Sequence, residues 1–88
     1  MSQFDKLLFS LLNGQSDTNF SFSDLVKVLL KLNFAQRIKG SHHIYSKIGV
    51  EEILNLQSLG AMAKPYQVKQ VREVIVKYGL KAEGNSDE

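Results

Sequence analysis

Two adjacent histidines, His42 and His43, are the only histidines in the chain and the side chains best suited to acid–base chemistry. The unperturbed pKa of histidine is ~6.5, so an imidazole can both accept and donate a proton near neutral pH. Consecutive strand residues point to opposite faces of a sheet, so only one of the pair can lie on an open face. Alternation groups His42 with Ile44 and His43 with Tyr45. Because Ile and Tyr both bury well, the pattern leaves open which histidine faces inward.

Other histidine chemistries have weaker support. The chain contains no cysteine, and two consecutive strand residues cannot easily bind one zinc ion, so we expect no metal site. Ser41 directly precedes His42 and no carboxylate is near in sequence, which argues against a Ser-His-Asp arrangement. The pair could also serve only as packing or surface residues, and that interpretation stays open.

Basic residues accompany the histidines in two groups. Arg37 and Lys39 precede the Gly40-Ser41 turn, and Lys47 follows it. Alternation places Arg37 and Lys39 on the same face of the first strand. The second group precedes and follows the start of the last predicted helix and contains Lys64, Lys69 and Arg72. Such cations could bind phosphates while an imidazole acts on the sugar, and a solvated surface is the alternative for both groups.

The charge of the chain is unevenly distributed. The formal net charge is +2, but residues 25–82 contain ten bases and three acids, whereas residues 83–88 contain three acids and no base. Basic domains favour anionic partners, of which nucleic acid is the commonest. The length of 88 residues fits a single domain, which we place at residues 1–82, followed by a disordered acidic tail at 83–88.

The composition also bears on location. The longest apolar runs have three residues, far below the roughly 18 that a membrane span needs. The first residues lack the basic segment and the cleavage site of a signal peptide. Together with the absence of cysteine, these features lead us to expect a cytoplasmic protein with no membrane contact.

The spacing of apolar residues predicts three helices and three strands. We predict helices over 3–13, between an N-cap at Ser21 and a stop at Asn33, and from Pro65 to a C-terminal glycine at Gly79. Shorter apolar periods, punctuated by glycines, predict strands at 34–39, 42–47 and 51–57, with a polar linker at 15–19 and a loop at 58–64. The order is α-α-β-β-β-α.

This order predicts an α+β fold with a three-stranded antiparallel meander, because the strands are closely spaced. Helices on one face of the sheet would leave the other face open to solvent or ligand. The α-β-β-β-α part resembles the topology of the double-stranded-RNA-binding domain. That similarity concerns the fold and says little about function.

The six residues from Gly40 to Tyr45, GSHHIY, resemble the GSHH(I/V)(Y/F) signature of HicA toxins. Residues 24–34 look like that family's first helix and following strand, and residues 64–80 look like its C-terminal helix. Residues 51–57 resemble the third strand of the longer, cyanobacterial-type members. The similarity covers about residues 20–80, so the helix at 3–13 is additional. The segment 58–64 also lacks the Pro-His sequence that many members have there.

The resemblance implies an mRNA interferase: the toxin of a type II toxin–antitoxin pair, which cleaves RNA without a metal or other cofactor. The family's catalytic histidine is the first after Gly-Ser, which is His42 here, with His43 as a possible second group. The candidate RNA-binding residues are Arg37, Lys39, Ser41, Lys47, Lys64, Lys69 and Arg72. The implied partners are mRNA and a HicB-like antitoxin that covers the catalytic histidine. DNA should not be a substrate, because the proposed nucleophile is the 2′-OH.

Two other classes of function remain as alternatives. The first is a non-catalytic RNA-binding module of the same fold, in which His42 and the bases only bind. The second is an interaction protein whose open sheet face docks a partner. Growth arrest that depends on His42 would favour the enzyme, and RNA binding that weakens steeply with salt would argue against the pure interaction protein.

Overall fold

The chain forms the predicted order of elements in a computed structural model that describes residues 3–81. The helices are α1 (Gln3–Asn13), α2 (Phe22–Lys31) and α3 (Pro65–Tyr78), and the strands are β1 (Ala35–Lys39), β2 (His42–Lys47) and β3 (Val50–Leu56). The strands pair antiparallel in the order β1-β2-β3. The α+β class and the meander are therefore confirmed, and the predicted acidic tail at 83–88 lies outside the described residues.

The helix ends form where their capping residues predict them. The Ser21 hydroxyl accepts a hydrogen bond from the Asp24 N–H at 3.1 Å, which satisfies one of the free N–H groups at the start of α2. Asn33 follows α2 with φ 69°. Gly79 ends α3 with φ 60°, and the Leu80 N–H reaches back to the Ile75 carbonyl at 3.0 Å. These left-handed residues stop each helix because they turn the chain out of the helical path.

The helices form one core on one face of the sheet: α3 packs against β3, α2 contacts β2 through Phe22 and His43, and α1 packs against α2 and α3. Alternate residues of β2 and β3 point into this core, among them Tyr45, Leu54 and Leu56, each 0% exposed. The additional helix α1 contributes the fully buried Leu11. Burying apolar side chains is the main stabilising term in folding, so α1 is an integral part of this domain.

An ion pair joins α3 to the segment between α1 and α2. That segment contains a single 3-10 turn at Asp17–Asn19 where we predicted a linker. Arg72 donates two hydrogen bonds to the Asp17 carboxylate, at 2.8 and 2.9 Å, and a third to the Leu11 carbonyl at 3.2 Å. The Arg72 hydrogen bonds hold the pKa of Asp17 below its usual value. Arg72 of α3 therefore connects this helix to α1, through Leu11, and to the 3-10 turn, through Asp17.

None of the helices within residues 3–81 combines the length and the apolar character needed to cross a membrane. The longest, α3, has 14 residues, whereas a spanning helix needs about 20.

Candidate functional site

The β1–β2 hairpin places His42 beside two basic side chains. Gly40 occupies the first turn position with φ 61°, the positive φ that a type II′ hairpin turn requires there. In the resulting register Lys39 pairs with His42, and Arg37 pairs with Ile44. Directly opposite residues share a face, with their Cβ atoms roughly 4.5–5.5 Å apart. His42, Lys39 and Arg37 therefore lie on one face, which we call the open face because no helix covers it.

The open face presents both positively charged and apolar side chains. His42, Lys39 and Arg37 are all exposed. Within residues 3–81, neither Arg37 nor Lys39 forms a salt bridge, so both cations are available to a ligand. Ile44 is half-buried between the strands and Ile53 is 64% exposed. This combination suits an anionic ligand that also has flat apolar groups.

Residues of β3 contact the catalytic candidate and the hairpin turn. His42 Nδ1 lies 3.1 Å from Asn55 Oδ1, within hydrogen-bonding distance. The Gln57 side chain donates to the Ser41 hydroxyl at 3.1 Å. The buried Gln67 of α3, with its amide turned to satisfy both groups, accepts from the Gln57 N–H at 3.1 Å and donates to the Gln57 carbonyl at 3.0 Å. The end of β3 is thus fixed between the turn and α3.

His43 lies on the other face of the sheet, toward the helices. Its ring contacts the ring of Phe22 edge to face, with the centroids 5.0 Å apart. Its Nδ1 is buried, and no hydrogen-bond partner for it exists among the described residues. His43 could act on the same substrate as His42 only if the strand twisted or bulged at that point. The irregularity in β2–β3 pairing falls between Tyr45 and Lys47 instead, so the two histidines stay on opposite faces.

Three of the remaining basic candidates lie on the helical side of the sheet: Lys47, Lys69 and Arg72. Lys47 pairs with the buried Val50, so its side chain lies on the helical face of the sheet. It is the last residue of β2, five positions after His42. Lys69 and Arg72 belong to α3 and lie near Asp17, on the helical side. Lys64 is the N-cap residue of α3. Gln67, in the first turn of that helix, contacts Gln57, whose side chain donates to the Ser41 hydroxyl. Among the predicted RNA-binding residues, the hairpin groups Arg37, Lys39 and Ser41 around His42.

A second polar cluster joins β3 to the C-terminal end of α3. The Glu52 carboxylate accepts hydrogen bonds from Lys77 Nζ at 2.9 Å and from the Tyr78 hydroxyl at 2.7 Å. These two donors, Lys77 first, lower the pKa of Glu52 to about 2. The Tyr78 hydroxyl also accepts from the Glu51 N–H at 3.2 Å. This cluster anchors α3 to the sheet at the end of β3 away from Asn55.

The sequence reasoning missed Asn55 of β3 and Gln57, the residue that follows this strand. The sequence feature that could have revealed Asn55 is the turn at Ile48-Gly49, because a simple two-residue hairpin there would place Asn55 on the same face as His42.

Within residues 3–81 no group of three or more His, Cys, Asp or Glu side chains could bind a metal ion.

The arrangement can transfer a proton through an exposed imidazole while two cations and a hydroxyl hold an anion beside it. It can do so on a surface open enough for a polymer. Searches of this chain against protein-family models, curated proteins and solved structures found no match in any of the three.

Proposed function

We propose that the chain is an endoribonuclease that cleaves mRNA without a metal ion, and that it is the toxin of a type II toxin–antitoxin system. The observation that supports this best is the pairing of His42 with Lys39, with Arg37 on the same exposed face. The GSHHIY segment adds its resemblance to the HicA signature. The site combines the two things that RNA cleavage needs, a proton-transfer group and cations beside it.

The reaction begins with attack of a ribose 2′-OH on the adjacent phosphorus. The O2′–P bond forms, the P–O5′ bond breaks, and the products end in a 2′,3′-cyclic phosphate and a 5′-OH. His42 moves a proton in this reaction, either from the 2′-OH or to the leaving 5′ oxygen, and a positioned acid or base of this kind is worth on the order of 10²–10⁴ in rate. DNA lacks the 2′-OH and is therefore not cleaved.

The cations of the open face bind and neutralise the phosphate. Lys39 lies opposite His42, and Arg37 lies two pairs further along the hairpin on the same face. On this proposal the two cations bind successive phosphates of an RNA strand. Negative charge on the phosphate grows as the transition state forms. Fixed cations therefore stabilise the transition state more than they stabilise the bound substrate. Ile44 and Ile53 offer apolar surface to the bases between those phosphates.

A cell that makes this enzyme needs to keep it silent, and the resemblance implies a HicB-like antitoxin for that purpose. The open face has the cations Lys39 and Arg37 on β1 and the exposed Ile53 on β3. Electrostatic complementarity mainly raises the association rate and suppresses wrong partners. An antitoxin with an acidic surface that covers His42, Lys39 and Arg37 would bind this face and exclude RNA from it.

The direct test is incubation of purified protein with a defined RNA in the presence of a chelator, followed by analysis of the fragment ends. We expect fragments with 2′,3′-cyclic phosphate and 5′-OH ends, and none from an RNA with a 2′-deoxy residue at the cleaved position. Tight RNA binding without fragments would instead identify a non-catalytic RNA-binding module.

A further inference from the structure

Asn55 is the side chain that contacts the His42 ring. The two residues lie on adjacent strands, and Asn55 is diagonal to His42 because it pairs directly with Ile44. The His42 Nδ1 to Asn55 Oδ1 distance is 3.1 Å. An amide oxygen can only accept a hydrogen bond, and a neutral imidazole has one donor and one acceptor nitrogen. With Oδ1 facing the ring, this hydrogen bond forms only when Nδ1 carries the hydrogen.

We propose that Asn55 is a positioning residue that holds His42 in the Nδ1–H tautomer, so that Nε2 is the general base for the 2′-OH. This inference rests on the proposed function and narrows it, because that function alone leaves the role of His42 as base or acid open. With the hydrogen on Nδ1, the lone pair of Nε2 points away from Asn55 and is available to substrate. The tautomer of a catalytic histidine is commonly set by the bond that its other nitrogen makes.

The proton balance of the reaction follows from this tautomer. Nε2 takes the proton of the 2′-OH while the O2′–P bond forms, and the ring becomes an imidazolium. Its Nδ1–H stays on Asn55 throughout, so the ring does not have to turn. Because the attacking O2′ and the leaving 5′ oxygen lie on opposite sides of the phosphorus, water protonates the 5′ oxygen as the P–O5′ bond breaks, and the Nε2 proton is then released to solvent. One histidine held in one orientation thus returns to its starting state.

Asn55 is held in place by the sheet. It lies inside β3, and the next residue on the same strand face, Gln57, is fixed by hydrogen bonds to Ser41 and Gln67. A group placed on a paired strand is positioned more accurately than one on a loop. An amide also suits this position electrically. A carboxylate there would attract Lys39 and Arg37, whereas the neutral amide leaves both cations to the phosphate.

The tautomer can be measured without RNA. The ¹⁵N chemical shifts of the His42 ring, in protein labelled at histidine and above the pH at which the ring is protonated, distinguish Nδ1–H from Nε2–H. We expect Nδ1–H in the unaltered protein and in Asn55→Asp, which keeps the acceptor oxygen. We expect Asn55→Ala to shift His42 toward a mixture of tautomers. Ser46→Ala, an exposed change on the same face, is the matched control and should leave the ring signals unchanged.

The kinetic arm of the experiment separates positioning from binding. In Asn55→Ala we expect kcat to fall about 10-fold, the lower end of what loss of an orienting partner produces. KM should change by less than about twofold, because a residue that touches no phosphate contributes little to ground-state binding. Asn55→Asp should lose less of kcat than Asn55→Ala, although its charge should raise KM by attracting the two cations.

Two results would overturn the inference. One is an Nε2–H tautomer of His42 in the unaltered protein, and the other is an Asn55→Ala variant whose tautomer and kcat both match the unaltered protein. If the protein shows the Nδ1–H tautomer but cleaves no RNA, the proposed function fails and the tautomer assignment stands. Asn55 is exposed, so thermal melting of each variant should match that of Ser46→Ala and show that the fold is intact.

Discussion

His42 and His43 are consecutive residues of β2 that lie on opposite faces of the sheet. His42 contacts Asn55 on the open face, and His43 contacts the Phe22 ring of α2 on the helical face. The two imidazoles therefore cannot act on the same bond as an acid–base pair. The His42 side chain can reach a substrate, whereas the His43 side chain packs against the hydrophobic core.

This division predicts that His43 can be replaced without loss of activity. In His43→Phe the edge-to-face contact with Phe22 can persist, and the buried Nδ1 that has no partner within residues 3–81 is removed. An unsatisfied buried polar atom is destabilising by about 1–3 kcal/mol, so we expect the free energy of unfolding to stay equal or to rise. Urea denaturation measures the stability and an RNA cleavage assay measures the activity. Loss of cleavage in a folded His43→Phe protein would contradict the division.

Removal of the open-face cations should weaken the salt dependence of RNA binding. The probe is a labelled single-stranded RNA, and His42→Ala is the background so that the RNA stays intact. Each phosphate contact contributes about −0.7 to the slope of log K against log salt for a single strand. We expect Arg37→Gln and Lys39→Gln each to reduce the slope by about that amount.

The matched control for these two variants is Lys27→Gln, an exposed lysine of α2 that lies on the helical side of the sheet. It removes the same charge from the protein without touching the open face. If Lys27→Gln lowers the slope as much as Lys39→Gln does, RNA binding is a property of total charge and not of the open face.

Acid should destabilise the protein through Glu52. Its pKa is about 2 in the folded protein against a usual 4.5, so the ionised form is favoured by folding. The stabilisation is complete above pH 4.5 and is lost as the pH falls from 4.5 toward 2, because protonation then removes the charge that Lys77 and Tyr78 bind. We expect Glu52→Gln to melt at a temperature that depends less on pH in this range.

Circular dichroism melting between pH 2 and 6 measures this effect. The control is Glu51→Gln, which changes the adjacent exposed carboxylate on the other face of β3. The Asp17 carboxylate, whose pKa Arg72 also lowers, keeps some acid sensitivity in both variants. An equal flattening of the pH dependence in Glu51→Gln and Glu52→Gln would show that the Glu52 cluster is not its source.

The antitoxin is expected to compete with RNA for the open face. The test is to titrate the proposed HicB-like antitoxin into a complex of His42→Ala protein and labelled RNA, and to follow the RNA by fluorescence anisotropy. Displacement of the RNA is the expected result, because one surface cannot bind both ligands. A stable ternary complex would place the antitoxin elsewhere, for example on α1, and would contradict occlusion.

The helix ends and the hairpin turn could be predicted from single residues, since each depends on local chemistry. Ser21 occupies the N-cap position that its hydroxyl predicts, and Gly40 and Gly79, which lack a Cβ, occupy positions with positive φ. The strands also agree with the prediction to within one residue at each end. Such features need no knowledge of the tertiary structure, because the backbone conformation and the hydrogen-bonding group belong to the same short segment.

The inward-facing histidine could not be predicted, because Ile44 and Tyr45 are both good core residues. Packing against the helices decides the question: Tyr45 is fully buried, and its hydroxyl reaches the Gln36 side chain at 2.7 Å. The Arg72–Asp17 ion pair could not be predicted from the sequence either, since it joins a helix to a turn 55 residues away. Apolar periodicity contains no information about polar contacts between distant segments.

The central claim is that this chain cleaves RNA through His42, and the most direct test is the cleavage rate of purified His42→Ala protein. We expect its rate to fall on the order of 10²–10⁴-fold relative to the unaltered protein, while His43→Phe, the variant one residue away, keeps its activity. RNA binding by His42→Ala should persist because Arg37 and Lys39 remain. Cleavage by His42→Ala at the rate of the unaltered protein would contradict the account.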